Sequence, residues 1–336
     1  MVFKHFKNAA SLNNDWDKIA DDYFQMREFL LHTEKYNPCR QRYYSLLDNN
    51  NTVAAAVVYT LKINILNFLR IKSPVNMHIC GIPCSVSSPG IFGNNEDVKI
   101  LMKYIFKNEK GLVLILNLKN NSLITGRATN NTLPSVSFYS DFSDWNSYLK
   151  ALRHNYRRRL LNLFEHANNN NIKCYKLKNS DFNEQMYNLY LQVFNNSKDK
   201  LEKLNITFFQ NLPQNFILTV CEKDNNIIGW QIALSHNNTY TFFLGGLDYV
   251  SNKIYNTYFL LLSELIKDAI SSGATFIELG QTAEIPKMRL GGVLSPRFMC
   301  CSHNNFLLNS LLIACAPLLG YKPKVENTKA FKMRCL

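Results

Sequence analysis

The sequence predicts a mixed α/β protein with two similar-sized halves, residues 1–140 and 141–304, the first half completed by the segment 305–336. Three observations lead there. The 336 residues are 46% hydrophobic and only 19% charged, which excludes a disordered chain and fits two domains of ordinary size. Segments of helical and of strand periodicity alternate in both halves, with three successive strands in the middle of the second. No fixed-period repeat is present, and the longest apolar run, 305–320, carries Asn309 and Pro317 and is shorter than a membrane span.

In the first half, residues 15–29 read as a helix capped by Asn13 or Asn14. Residues 42–47 and 53–63 alternate as strands, and the polar turn 48–51 between them signals a hairpin. A Gly, Pro and Ser-rich strand or loop at 78–92 leads to a helix at 96–106 and a short buried strand at 111–118.

The second half opens with a strand at 135–139 and one or two helices within 143–168. A strand at 173–177 precedes a helix at 183–195 with Met186, Leu189, Tyr190 and Val193 on one side. Strands at 215–222, 227–235 and 240–247, joined by polar turns, form a meander. A long helix at 254–271, a strand at 275–279, a short helix near 283–290 and a strand at 296–302 follow. The apolar run 305–319 reads as a packed final helix.

Net charge is +13, with Lys and Arg at 38 against 25 Asp and Glu. The excess is local. Residues 151–178 hold seven basic and one acidic residue, and residues 321–336 hold five and one. Such patches suit a phosphate-bearing partner such as coenzyme A, a nucleotide or tRNA; a solvated face with a basic tail is the alternative. On an ideal helix, Arg153 falls inside the apolar stripe of Leu152, Tyr156, Leu160 and Leu163, Arg157 flanks it and Arg158 lies opposite. An arginine within an apolar stripe needs an anionic partner, so Arg153 and Arg157 are the expected phosphate or carboxylate ligands.

Nine cysteines are an odd number in a chain too large to need disulfide staples, and Cys80, Cys174, Cys221 and Cys315 lie in apolar stretches, as reduced thiols do. The N-terminal segment lacks a signal-peptide core, so a cytoplasmic protein without stable membrane insertion is expected. The groupings His78-x-Cys80-x3-Cys84 and Cys300-Cys301-x-His303 lack the paired knuckle spacing of structural zinc, and no metal is expected.

Residues 239–297 carry Gly245-Gly246 at a strand, Tyr255 and Tyr258 at the start of a long helix, a strand ending in Glu278-Leu279-Gly280, and Lys287 followed by Gly291. This order resembles the C-terminal half of Fem-like (peptidoglycan aminoacyltransferase-like) members of the GNAT superfamily of N-acyltransferases. The run 148–159, YLKALRHNYRRR, resembles the basic helix that opens the second half of such proteins. The resemblance implies two tandem GNAT-like domains and acyl transfer to an amine from an acyl thioester or, in the cell-wall branch, an aminoacyl-tRNA. It also implies that the last helix packs against the first half.

Direct transfer needs backbone amides for the donor carbonyl, a proton acceptor for the amine and an acid for the leaving group. Gly245 and Gly246 fit a bulge or close backbone approach on the donor strand; the alternative is a strand end. The helix after Asp248 is expected to face a pyrophosphate, with Ser251 or Asn252 capping and Lys253 as a phosphate ligand. Its Gly-rich cradle is missing, which leaves room for a carrier-protein or tRNA donor. Lys287 stands to stabilise an oxyanion or a phosphate, Glu278 or Glu284 to take the amine proton, and Tyr258 to protonate the leaving thiolate. Arg289 is a further anion ligand, and Asp248, Tyr255 and Gln281 fall where substrate is expected. Each also has a plain reading as a surface or core residue.

The function expected is therefore an N-acyltransferase using acyl-CoA or acyl-carrier protein as co-substrate, with no tightly bound cofactor and a small-molecule or peptide amine as acceptor. An aminoacyl-tRNA-dependent transferase and a non-catalytic binding module on a degenerate acyltransferase fold are the alternatives.

Overall fold

The alternation of strand and helix resolves into two compact units, Met1–Pro134 with Pro296–Lys322, and Ser135–Ser295 with Pro323–Leu336. The expected units, 1–140 completed by 305–336 and 141–304, differ from these in their bounds. The strand expected at 296–302 goes with the first unit, and the C-terminal tail with the second. The computed structural model describes residues 1–37, 39–64, 74–84, 87–121, 126–197, 202–318, 320–323 and 328–332. Leu319 of the expected final helix, and 324–327 and 333–336 of the basic tail, lie outside the described residues.

In chain order the elements begin β1 (Val2–Phe6), α1 (Asp15–Lys18), α2 (Arg27–Tyr36), β2 (Arg42–Asp48), β3 (Asn51–Asn64), β4 (Pro74–Cys80), β5 (Ile91–Gly93), α3 (Asn95–Asn108) and β6 (Leu112–Leu118). They continue with β7 (Ala128–Tyr139), α4 (Trp145–Ala151), α5 (His154–Asn169), β8 (Lys173–Leu177), α6 (Glu184–Asn196), α7 (Ile206–Gln210), β9 (Phe216–Lys223), β10 (Asn226–His236) and β11 (Thr239–Leu247). The last are α8 (Tyr249–Tyr255), α9 (Thr257–Ser271), β12 (Phe276–Gln281), α10 (Glu284–Arg289), β13 (Val293–His303) and α11 (Phe306–Cys315).

Both units run through one order of elements. In the first, β1 and two helices lead to the antiparallel run β2-β3-β4, and α3 then crosses over to β6, which lies parallel to β4. In the second, β8 and two helices lead to antiparallel β9-β10-β11, and α8 and α9 cross over to β12, parallel to β11. A parallel step needs such a crossover, because a tight hairpin can only reverse the chain. The first core is built on Val58, Leu101, Ile105, Ile115 and Cys300, and the second on Val136, Tyr240, Leu262, Ile266 and Leu279.

Two expected helices are broken, and a third segment holds the larger of the two numbers of helices expected in it. The helix expected at 15–29 stops at Lys18, and Gln25, fully buried, bonds Pro89 O from its side chain at 3.0 Å. Of the one or two helices expected within 143–168 there are two, separated at Leu152 and Arg153, whose extended backbone takes up the tail: Arg153 N donates to Ala330 O at 2.9 Å and Lys332 N to Ala151 O at 3.0 Å. Phe331 thereby joins the rings of Phe138, Phe142 and Tyr148. It also explains Gly291, where φ is +97° and a Cβ would stand 2.3 Å from the Phe331 ring. The helix expected at 254–271 is two helices, separated by Asn256 in the left-handed conformation.

Two further expectations are corrected. Cys174 and Cys221 are not reduced thiols: they are paired across β8 and β9, with Cα atoms 4.3 Å apart, and joined in a disulfide. The final helix is not packed down. No residue of α11 is buried, and Phe306 and Leu307 are 79% and 75% exposed. Among the described residues no helix is long and apolar enough to cross a membrane.

The Cys/His groupings are accounted for by packing. His78 accepts or donates within a half-buried network in which Arg42 holds Glu109 at 2.5 and 2.6 Å, Tyr44 donates to Glu109, and the His78 ring meets Arg42 and Thr60. Cys80, Cys84 and Cys300 are buried. Every member of that network has a partner, as a buried charge requires.

Candidate active site in the second unit

In the second unit, β11 is paired with β10 along its length, but with β12 only at Thr239, Tyr240 and Thr241. From Phe242 and Leu279 onward the two parallel strands are not paired with each other. A register shift at Ile232/Ala233 leaves Phe243 as the extra residue of β11, so the bulge lies two residues before the glycines. The glycines do show a close approach on one face. A Cβ on Gly246 would stand 2.2 Å from Trp230 Nε1 and 2.9 Å from Tyr190 N, so the close approach is to the unit's own core. Gly245 is looser, with Trp230 O at 3.0 Å.

Lys287 joins the two diverging strands. Its Nζ donates to the carbonyl of Gln281, at the end of β12, at 2.6 Å and lies 5.4 Å from the ring centre of Phe242, the first residue of β11 not paired with β12. It is fully buried. The chain can bring it there because Gly280, Thr282 and Ala283 all adopt positive φ, folding the segment after β12 back into the short helix α10. Burial pushes the Lys287 ammonium down to about 7, against the opposing pull of the Glu278 and Glu284 carboxylates. Both carboxylates are buried, and Glu278 Oε1 accepts from Gly280 N at 3.0 Å. Tyr258, at the start of α9, has its phenol pushed well above the usual range by burial, then by the charge of Glu284 and by Tyr249. Lys287, Glu278, Glu284 and Tyr258 thus form one electrostatically linked group.

This group adjoins a cleft of about 1070 Å³ within the unit. Tyr258, Phe259, Pro286 and Arg289 line one side; Asn155, Arg158, Arg159, Asn162 and His166 of α5 line the other. The expected basic ligands are displaced by one helical face. Arg153 is the N-cap residue of α5, exposed, with its Nε donating to Phe331 O at 3.1 Å, and neither it nor half-buried Arg157 lines the cleft. The missed residues lie on the polar side of α5, where 155, 158/159, 162 and 166 recur beside Leu163, which also lines the cleft.

On the other side of α8 is a cleft of about 460 Å³ lined by Asp248, Ser251 and Tyr255 together with Lys223, Asp224 and Asn226. Here the expected anion site is already filled. The Asp248 carboxylate accepts from Val250 N at 3.2 Å, Ser251 N at 3.1 Å and Ser251 Oγ at 2.5 Å, occupying the amides that would meet a pyrophosphate. Although burial raises it, the Ser251 hydroxyl and the two amides hold the Asp248 carboxyl below its ordinary value. Lys253 is exposed and lines neither cleft.

In the first unit, chain lies beyond the ends of β4 and β6 among the described residues. Beyond β4, Gly81 is bridged to Pro89, the Asn117 side chain after β6 donates to Ser88 O at 3.4 Å, and a Cβ on Gly90 would stand 2.1 Å from Gly81 N. The segment 88–90 occupies that position.

No protein-family model matches the sequence, and no curated protein does. Solved structures do match in fold. The C-terminal domain of a putative lysylphosphatidylglycerol synthetase from Agrobacterium fabrum is 11% identical, with 91% of this chain and 96% of that one covered and a TM-score of 0.54. FemX is 11% identical over 89% of this chain and 97% of its own, also with a TM-score of 0.54. The chain has a Fem-like, GNAT-type fold. N-myristoyltransferase from Saccharomyces cerevisiae, solved with bound myristoyl-CoA, shares it at 10% identity over 90% and 78%, with a TM-score of 0.50. In this frame the diverging pair is β11 and β12, and the helix that follows β11 is α8.

Proposed function

We propose that the chain is an N-acyltransferase working in its second unit, moving an acyl group from an acyl thioester, acyl-CoA or acyl-carrier protein, to an amine of a small molecule or peptide. The two units are read as tandem GNAT-like domains, the first of them degenerate. The observation that carries the reading is Lys287 lodged between diverging strands, beside two buried carboxylates and next to an open cleft. A buried lysine with a depressed pKa, coupled to carboxylates and a phenol, is a costly arrangement that a purely structural role does not require.

In the reaction the amine nitrogen attacks the donor carbonyl between β11 and β12, forming the C–N bond and a tetrahedral oxyanion. The Lys287 ammonium supplies positive charge beneath that oxyanion. Glu284, with Glu278 behind it, takes the proton lost by the amine. The C–S bond then breaks, and the departing thiolate takes the Tyr258 proton. The products are an amide and a free thiol, and Tyr258 is reprotonated from Glu284. The myristoyl-CoA held by the yeast enzyme of this fold supports a thioester donor.

A second reading, transfer from an aminoacyl-tRNA, is favoured by Asp248, which occupies the helix end where a coenzyme A pyrophosphate is expected. Both readings predict amide formation. Incubation with acyl-CoA, acyl-carrier protein or aminoacyl-tRNA and a panel of amines, followed by mass spectrometry, is expected to give an amide with one donor class. No amide with any of the three would overturn the proposal and leave a binding module on this fold.

A further inference from the structure

The larger cleft is unusual in its charge. Arg158, Arg159 and His166 of α5 and Arg289 of α10 line it, with no Asp or Glu among the described lining residues. Arg158 and Arg159 are exposed to it and make no hydrogen bond or ion pair among the described residues. Around these cations stand Asn155, Asn162, Asn252 and Asn256, whose amides are also donors. Arg158 and Arg159, adjacent and without a counter-ion among the described residues, repel each other, so their side of the cleft is stabilised by an anion. Guanidinium groups present several donors in a plane and suit phosphate in particular.

The opposite side of α8 has the reverse character. Its cleft contains Asp248 and Asp224, and the free amides of α8 are spent on the Asp248 carboxylate. A phosphate brought to that end meets a carboxylate already bonded to the donors it needs.

We infer that the phosphate groups of the acyl donor are held by Arg158, Arg159 and Arg289 in the α5–α10 cleft, and not at the start of α8, where Asp248 takes the place of an anion. The inference rests on the acyl-transfer reading for the identity of the ligand as a donor. The placement fits that role. From Asn155 to His166 the α5 face runs for about 16 Å, and Tyr258 and Pro286 at the far wall lead directly to Lys287. A donor seated by its phosphates along α5 has its acyl end at Tyr258. The chemistry recognised is a pyrophosphate or phosphodiester, which a coenzyme A thioester and the 3′ end of an RNA both supply.

The test is equilibrium binding without turnover, using coenzyme A by calorimetry and, separately, a fluorescein-labelled RNA hairpin with a single-stranded CCA end by anisotropy, at low salt and along a salt series. Wild type is expected to bind one of the two. Binding of coenzyme A identifies a nucleotide thioester, and binding of the hairpin identifies RNA. Arg158→Gln/Arg159→Gln should weaken that binding at least tenfold and, for the hairpin, lower the log–log salt slope by about 1.4, the value for two lost single-strand phosphate contacts. Lys253→Gln, on exposed α8, should bind as wild type does. Unchanged binding by the double arginine variant overturns the inference, as does equal weakening by Lys253→Gln or failure of wild type to bind either probe. Both arginines are exposed, so a melting curve matching wild type is expected and separates lost binding from lost fold. Lys287→Met should retain binding. Amide formation that survives in Lys287→Met therefore counts against the acyl-transfer mechanism alone, and intact binding in the arginine variant counts against this inference alone.

Discussion

Lys287 and Gln281 are joined by a 2.6 Å hydrogen bond from ammonium to backbone carbonyl, and that bond ties the end of β12 to the helix that follows it. The lysine is wholly buried, so its charge is a property of the fold and can be read in stability as well as in rate.

Its pH signature has a definite sign. The folded pKa of Lys287 is about 7, below the ordinary value of 10.5, so between the two the unfolded chain binds the extra proton. The cost of burying the ammonium is complete below about pH 7 and is relieved as the pH rises toward about 10. The stability of wild type relative to Lys287→Met should therefore increase over that window, by on the order of a few kcal/mol. Denaturant titrations at about pH 6 and about pH 9 measure this. A difference that is flat with pH, or falls, would show that Lys287 is not buried as a titrating group.

Asp248 makes a separate prediction. Asp248→Ala removes a helix cap and should cost about 1 kcal/mol, whereas Asp248→Asn, an equally good cap, should cost little. Because the folded carboxyl lies below its usual value, the part of the difference that depends on its charge is present at neutral pH and is lost on acidification through that lowered pKa, leaving the part that a neutral cap also supplies. Equal destabilisation by the two substitutions would mean that the charge, and not the cap, matters.

The glycine pair separates packing from chemistry. Gly246→Ala places a methyl 2.2 Å from Trp230 Nε1 and should destabilise by about 1–3 kcal/mol or more, while Gly245→Ala, with its nearest contact at 3.0 Å, should cost less. Denaturation midpoints decide. The opposite ranking would show that Gly246 does not pack as described.

The exposed helix α11 should be nearly silent in stability. Leu307→Gln and Leu311→Gln are each expected to fall within about 0.5 kcal/mol of wild type, against about 2–5 kcal/mol for Leu265→Ala in the second core. A loss of 2 kcal/mol or so at Leu307 would mean that α11 is covered in solution.

Much of this architecture is legible from residues alone. The meander of β9, β10 and β11 follows from alternation and polar turns, and α6 from the spacing of Met186, Leu189 and Tyr190. Lys287, Glu278 and Tyr258 could be picked out because a strand end and two helix starts bring them into one neighbourhood. What local pattern does not carry is the effect of distant chain. The tail at Ala330 and Phe331 breaks the basic helix before His154 and so takes Arg153 off its face, while the polar side that carries Arg158 reads from local pattern only as solvated, with nothing to say that a cleft meets it. Cys174 and Cys221 meet only through the register of β8 on β9, forty-seven residues apart. The apolar composition of α11 speaks for burial, but composition does not specify what covers a helix.

The most direct test of the central claim compares wild type with Lys287→Met in amide formation, using the donor class and amine that wild type accepts, with product quantified by mass spectrometry. The account predicts a loss of about a hundredfold or more in kcat, the scale of removing one oxyanion-stabilising group, with donor binding retained. Amide formation by Lys287→Met at the wild-type rate would contradict it.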